Sequence, residues 1–239
     1  NVRKITGKYC SRKLRNRDYL MHAAIIIFPG SNCDRDMLSA LRLAGHETTV
    51  IWHKETELPN NIDLIAIPGG FSFGDYLRCG AIAAKSPIFC EVRRHINRGG
   101  YALGICNGFQ ILTEAGILPG ILQQNIDTKF ISKVIDLRIK NTTSKFTYRY
   151  STESKISIPI AHHEGNYFAR EDDLKKLHDN NCIAFEYINN PNGSSHNIAG
   201  ILSENHRVLG MMPHPERHVE KAHGCQDGYP FFEGLLHIS

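Results

Sequence analysis

Residues 101–116 read YALGICNGFQILTEAG, and the fold turns on how this stretch divides. Residues 101–105 form a short apolar run after Gly99-Gly100, the mark of a buried strand. Residues 107–115 carry a helical pattern that Gly116 ends. Cys106 therefore falls on a strand-to-helix turn. A helix N-terminus presents unpaired backbone N–H groups and a partial positive charge, and both favour a thiolate over a thiol. Gly104 and Gly108 flank the cysteine in a G-x-C-x-G pattern, the thiol counterpart of the nucleophile elbow G-x-S-x-G. Their expected purpose is a sharp turn and room for a substrate carbonyl to approach the backbone. The pattern alone leaves two readings open: a reactive nucleophile, or one of the many inert cysteines of protein cores.

Outward from this stretch, apolar strands alternate with amphipathic segments, as a parallel sheet covered by helices requires. Residues 23–28 read as a buried strand. Residues 34–44 read as a helix with Met37, Leu38, Leu41 and Ala44 on one face, ended by Gly45. Strands are expected at 50–52 and 63–67, followed by a mostly helical segment at 81–97 that Pro87 breaks or restarts. After about residue 130 the pattern becomes β-rich, with strands at 131–139, 156–160, 183–188, 198–202 and 208–211. The expectation is an α/β fold with an open, mostly parallel sheet and additional β-rich segments. No repeat or linker interrupts it, so residues 21–239 are read as one domain.

Composition narrows the function classes. A chain of 239 residues with 41% apolar content can bury a sizeable core. Seven cysteines, an odd number with no C-x-x-C pair, suggest neither a disulfide framework nor a zinc knuckle. No apolar stretch approaches the roughly 18 residues of a membrane span, and no secretory signal is visible. A reducing, cytoplasmic setting without a membrane partner is expected. The net charge of +4 is local: residues 1–20 hold seven basic residues against Asp18, while the remainder, 21 basic and 23 acidic, carries −2. That distribution argues against a nucleic-acid footprint on the folded part. Residues 1–20 are read as a basic extension outside the fold.

In an open α/β sheet, ligands gather beyond the carboxyl ends of the strands. Three such ends stand out here: PGGFSFGDYLRCG at 68–80, Cys106, and MMPHPERH at 211–218. Gly69-Gly70 offers backbone N–H groups to an anion, although tight turns use such pairs too. His214 can act as a base beside the thiol, with Glu216 two residues on to orient its ring; an exposed loop histidine is the plainer alternative. Cys33 and Cys79 lie near strand ends with no base at motif spacing and are read as structural. His162-His163, His214 and His218 lack zinc-like spacing, and no metal is expected.

GICNGFQ together with PHPE resembles the class I (triad) glutamine amidotransferases. FPGSNCDRD (28–36), PGGFSFGDYLRCGAIA (68–83), GICNGFQILTEAGILPG (104–120) and HHEGNYF (162–168) narrow the resemblance to the glutaminase subunits of phosphoribosylformylglycinamidine synthase. The resemblance implies a flavodoxin-like sheet with helices on both faces. It makes Cys106 the nucleophile, His214 the acid/base and Glu216 the residue that orients it. Gly70, in the Gly69-Gly70 loop, and Asn107, after the nucleophile, would supply oxyanion N–H groups, and Gln110 would line the glutamine pocket. The implied reaction releases ammonia from L-glutamine for amination of formylglycinamide ribonucleotide in de novo purine biosynthesis. The implied partners are a larger synthase subunit and a small accessory subunit. No P-loop is present, so no cofactor is expected in this chain, and ATP and Mg2+ would belong to the synthase. HHEGNYF would border the pocket or meet the partner. Two departures stand out: Asn107 where related amidotransferases carry Leu, and the basic extension. A free-standing Cys-His-Glu hydrolase of a γ-glutamyl bond competes with this reading, as does a non-catalytic redox-sensing relative. The family strings disfavour the first and the His214-Glu216 pair the second.

Overall fold

The computed structural model describes residues 21–76 and 78–235. The basic extension at 1–20 lies outside the described residues. Four short strands open the fold: β1 (His22–Ile27), β2 (Glu47–Trp52), β3 (Leu64–Ile67) and β4 (Tyr101–Ile105). HAAIII, LIAI and YALGI are nearly continuous apolar runs, the pattern of parallel strands covered on both faces. Leu64, Ile65 and Ile67 are fully buried, and burial of each such side chain contributes about 1.5–3 kcal/mol. The strands are parallel in the order β2-β1-β3-β4, which is the flavodoxin-like winding.

Helix α1 (Asp34–Leu43) links β1 to β2, and α2 (Phe89–Asn97) links β3 to β4. The chain steps in opposite directions along the sheet at these two crossovers, so right-handed connections place the two helices on opposite faces. In α1, Met37, Ala40 and Leu41 are buried, while Asp34 and Asp36 in the first turn and Arg42 in the last suit the helix dipole. The helical segment expected at 81–97 is two pieces, a 3-10 turn Ala83–Lys85 and then α2, with Pro87 between them.

The chain continues through α3 (Asn107–Glu114), β5 (Ile121–Gln123), β6 (Ile131–Ile139), β7 (Lys155–His162), β8 (Asn166–Phe168) and α4 (Glu171–Asp179). It ends with β9 (Ile183–Tyr187), β10 (Ile198–Leu202), β11 (Val208–Met211) and α5 (Tyr229–Gly234). Strand β11 adds in parallel to β4, pairing Val208 with Ala102 and Met211 with Ile105. Beyond it β10, β9, β6 and β7 extend the sheet in antiparallel pairs to nine strands. Strands β5 and β8 pair separately. Although β7 is an edge strand, it meets the segment after β11, where the His214 N–H donates to Pro159 O at 2.8 Å. Phe109 of α3 stacks on Tyr167 of β8 at 5.8 Å and ties the small sheet to the core. Among the described residues, no helix is long and apolar enough to cross a membrane.

Candidate active site

Cys106 ends β4 and begins α3 with φ +52° and ψ −108°. A positive φ at a non-glycine residue in a sparsely populated region costs on the order of 1–3 kcal/mol and persists only where the surroundings enforce it. Here the Cys106 N–H donates to Met211 O at 2.8 Å, and its carbonyl accepts from the Phe109 and Gln110 N–H groups. The flanking glycines are required by the packing of the protein's own backbone. A Cβ on Gly104 would sit 2.6 Å from Gly108 O, and one on Gly108 would sit 2.0 Å from Ile67 O. They let β4, α3 and β3 pack backbone to backbone, which aims the turn.

His214 follows β11, the parallel neighbour of β4, so β-sheet pairing brings it beside Cys106. Its Nδ1 lies 2.6 Å from Glu216 Oε1, and both residues are essentially buried. A carboxylate can only accept, so Nδ1 carries the hydrogen and Nε2 is left for chemistry. A Cβ on Gly69 would meet His214 Cε1 at 2.7 Å, Cys33 Sγ at 3.1 Å and Cys106 Cβ at 3.4 Å, so all three side chains converge on this glycine. Burial works against a charged imidazole. The charges of Glu216 and Cys106, with polar contacts to Cys106 and Cys33, outweigh it and hold His214 well above the ordinary histidine range. That favours an imidazolium at His214.

The Gly69-Gly70 turn is pinned to the loop after β1. Asn32 and Cys33 N–H groups donate to Gly69 O at 3.3 and 3.2 Å, and Phe71 N–H donates to Gly30 O at 2.9 Å. This pairing leaves the Gly70 N–H out. Asn107, the departure from the related Leu, bridges two neighbouring segments. Its Oδ1 accepts the Ser72 N–H at 3.1 Å and its Nδ2 donates to Gln110 Oε1 at 2.8 Å. Gln110 Nε2 in turn donates to Glu164 O at 2.7 Å. The Gln110 amide is thus held at both ends by protein groups.

A cavity of about 140 Å³ opens over this turn, lined by Cys106, Gly70, Phe71 and Gln110 together with Asp75 and Glu164. His214 and Glu216 lie behind the thiol. A larger cavity, about 700 Å³, sits elsewhere beside Gly116, Leu177, Cys182 and Val208, and holds no nucleophile-base pair. Two residues read as structural from sequence stand in the site. Cys33 is buried against His214 and accepts from Arg217 Nη2 at 3.1 Å, while Arg217 also binds Asp36. Cys79 borders the cavity. The only signals for either were the FPGSNCDRD and GDYLRCG strings. Among the described residues, Cys33, His214 and Glu216 are the group with metal-ligand proximity, their ligand atoms lying within 4.8 Å of one another. One of those carboxylate oxygens is already taken by the His214–Glu216 hydrogen bond. His162 and His218 each have Nδ1 engaged, by Asn125 Oδ1 and Ser157 O.

A strained cysteine on a strand-to-helix turn, with a buried His-Glu pair from the next parallel strand, defines the class of triad glutamine amidotransferases. Residues 21–226 match the CobB/CobQ-like glutamine amidotransferase domain family. The chain is 56% identical to phosphoribosylformylglycinamidine synthase subunit PurQ of Roseobacter denitrificans over 90% of its length and 97% of that protein. It is equally identical, with the same coverage, to the PurQ subunit of Cereibacter sphaeroides. A chain in the structure of PurLQS from Thermotoga maritima superposes with a TM-score of 0.84 at 42% identity, covering 91% of this chain and 98% of that one. This chain belongs to the CobB/CobQ-like glutamine amidotransferases and, within them, to the PurQ family.

Proposed function

We propose that this chain is the glutaminase subunit of phosphoribosylformylglycinamidine synthase, working in the cytoplasm. It hydrolyses L-glutamine and passes ammonia to a larger synthase subunit, in a complex that also holds a small accessory subunit. The observation that carries this reading is Cys106 at φ +52°, next to the His214–Glu216 hydrogen bond of 2.6 Å.

The Cys106 thiolate attacks the side-chain amide carbon of glutamine. The Gly70 and Asn107 N–H groups hold the developing oxyanion, which is where such donors act most strongly. His214 gives its proton to the departing nitrogen, and Glu216 stabilises the imidazolium and fixes its tautomer. Collapse breaks the C–N bond and leaves a γ-glutamyl thioester on Cys106 with free ammonia. His214, now neutral, takes a proton from water as that water attacks the thioester, and glutamate leaves with the thiolate regenerated. Ammonia is a nucleophile only while unprotonated, so transfer to the synthase must avoid bulk water. No cofactor is required of this chain, and ATP and Mg2+ act on the synthase.

The test is a Cys106→Ala chain assembled with its synthase subunits. Amination with glutamine should disappear while amination with added ammonia persists. Equal loss of both activities in an assembled complex contradicts this division of labour.

A further inference from the structure

Cys33 takes no part in the steps above, yet it shares its surroundings with two residues that do. Its sulfur, a His214 ring nitrogen and a Glu216 carboxylate oxygen all lie within 4.8 Å of one another. Cys33 and His214 are 2% exposed and Glu216 is 1% exposed, so the group is shut away from bulk water. Part of it is unsatisfied. Glu216 spends Oε1 on His214 Nδ1, which leaves Oε2 buried without a partner among the described residues, and His214 Nε2 is in the same condition. A buried acceptor left without a donor costs about 1–3 kcal/mol, and more when it is charged. Catalysis accounts for the free Nε2, since that atom faces the reaction. It does not account for Oε2.

The charges suit a divalent cation. Arg217 Nη2 donates to Cys33 Sγ at 3.1 Å, while its Nε is paired with Asp36 Oδ2 at 3.2 Å. An N–H donor of this kind favours a thiolate on Cys33 and orients it, as outer partners do for metal ligands, and Asp36 offsets the guanidinium charge. A Cys33 thiolate and the Glu216 carboxylate then supply two negative charges against the two positive ones of the ion. The donor types narrow its identity. Sulfur, imidazole nitrogen and carboxylate oxygen together suit Zn2+, which is commonly held by three protein ligands with a fourth position open, whereas Mg2+ and Ca2+ demand oxygen.

We propose that Cys33 Sγ, His214 and Glu216 form an inhibitory site for a borderline-soft divalent cation of the Zn2+ type. Binding displaces two hydrogens, that of the Cys33 thiol and the one that His214 Nδ1 shares with Glu216, and both leave to solvent as protons. A metal-held imidazole is neutral. It cannot form the imidazolium that protonates the departing nitrogen, so glutamine hydrolysis stops while the synthase still uses added ammonia. The ion is an inhibitor of the triad and has no place in its reaction.

The test has a spectroscopic and a kinetic arm. The full chain is titrated with Co2+, whose thiolate charge-transfer and tetrahedral d–d bands report a bound sulfur ligand. The parent and Cys106→Ala should both develop these bands. Cys33→Ser, which exchanges the sulfur for a harder oxygen, should lose the charge-transfer band and bind more weakly by at least the roughly 10–100-fold that loss of an outer partner costs. In the assembled synthase, Zn2+ should suppress glutamine-dependent amination and spare ammonia-dependent amination. Cys33→Ser, read against its own metal-free rate, should shift that inhibition to higher Zn2+ by the same factor. Where Cys33→Ser does not accumulate, Glu216→Gln is read on the cobalt bands, with weakened binding expected. Bands that survive Cys33→Ser overturn the site, and so do bands that vanish with Cys106→Ala, which would put the metal on the nucleophile. Zn2+ that leaves glutamine-dependent amination untouched, or that stops both aminations alike, overturns the inhibition. The cobalt bands need no turnover, so they judge the site even where the glutaminase reading fails.

Discussion

Gly69→Ala is the smallest change that reaches the whole site at once. Its new methyl would lie 2.7 Å from His214 Cε1, 3.1 Å from Cys33 Sγ and 3.4 Å from Cys106 Cβ. Gly69 is not among the positive-φ glycines, so alanine fits the backbone and the effect is the methyl alone. Carbon atoms pack at about 3.5–4.0 Å, so the His214 ring must retreat by roughly 1 Å. It has nowhere free to go. Glu216 holds Nδ1 at 2.6 Å, and the backbone N–H of His214 is fixed on Pro159 O at 2.8 Å. A misplacement of about 1 Å in a catalytic group costs roughly 100-fold in rate, and overpacking of this kind destabilises by about 1–3 kcal/mol. In the assembled synthase, kcat with glutamine should therefore fall by about 100-fold, while ammonia-dependent amination stays at the parental rate. Urea unfolding of the isolated chain should report a loss within that stability range. A Gly69→Ala enzyme with near-parental glutamine turnover would refute the claim that His214 works from this position against Cys106.

Two further outcomes follow from the same geometry. Glu216→Gln keeps the shape of the side chain but removes the charge that supports the His214 imidazolium, so kcat should drop by about 1000-fold or more at unchanged fold, measured by glutamate release; near-normal turnover removes Glu216 from the mechanism. His162 sits at about 4 when folded, against an ordinary 6.5, so between those values the unfolded chain binds the extra proton. Stability is then complete above pH 6.5 and falls as pH drops toward 4, by about 3 kcal/mol from this residue at most. His46 and His95, also lowered by burial, add in the same direction. His162→Gln should flatten part of this slope in urea unfolding at pH 7 and pH 4.5, and parallel curves for parent and variant would show that His162 is not the source.

The parallel half of the fold was legible because its information is local. Apolar runs bounded by glycine give β1, β3 and β4, and the strand at 208–211 was readable to the residue. The expected nucleophile and its His-Glu partners sit at strand ends, where chemistry collects in such sheets, and the fold brings Cys106, His214 and Glu216 together there. Other parts have no local signature. Strands β5 and β8 are three residues long, too short for alternation to register. In α4 only Leu174 and Leu177 are buried among charged neighbours, so its apolar face is too narrow to register. The strand order past β11 depends on pairings distant in sequence. The places of Cys33 and Cys79 depend on Arg217, 184 residues away, and on Glu164, 85 residues away, which no motif spacing exposes. The G-x-C-x-G glycines were found for the right position but for an incomplete reason, since their close contacts are with Gly108 O and Ile67 O.

The central claim is that Cys106 carries the γ-glutamyl group. The measurement that addresses it most directly is rapid acid quenching of the assembled synthase during turnover of isotopically labelled glutamine, followed by peptide mapping. The label should appear on the peptide containing Cys106 as a hydroxylamine-sensitive thioester and be absent from a Cys106→Ala chain. Turnover with no label on Cys106, or label on Cys33 or Cys79 instead, would contradict it.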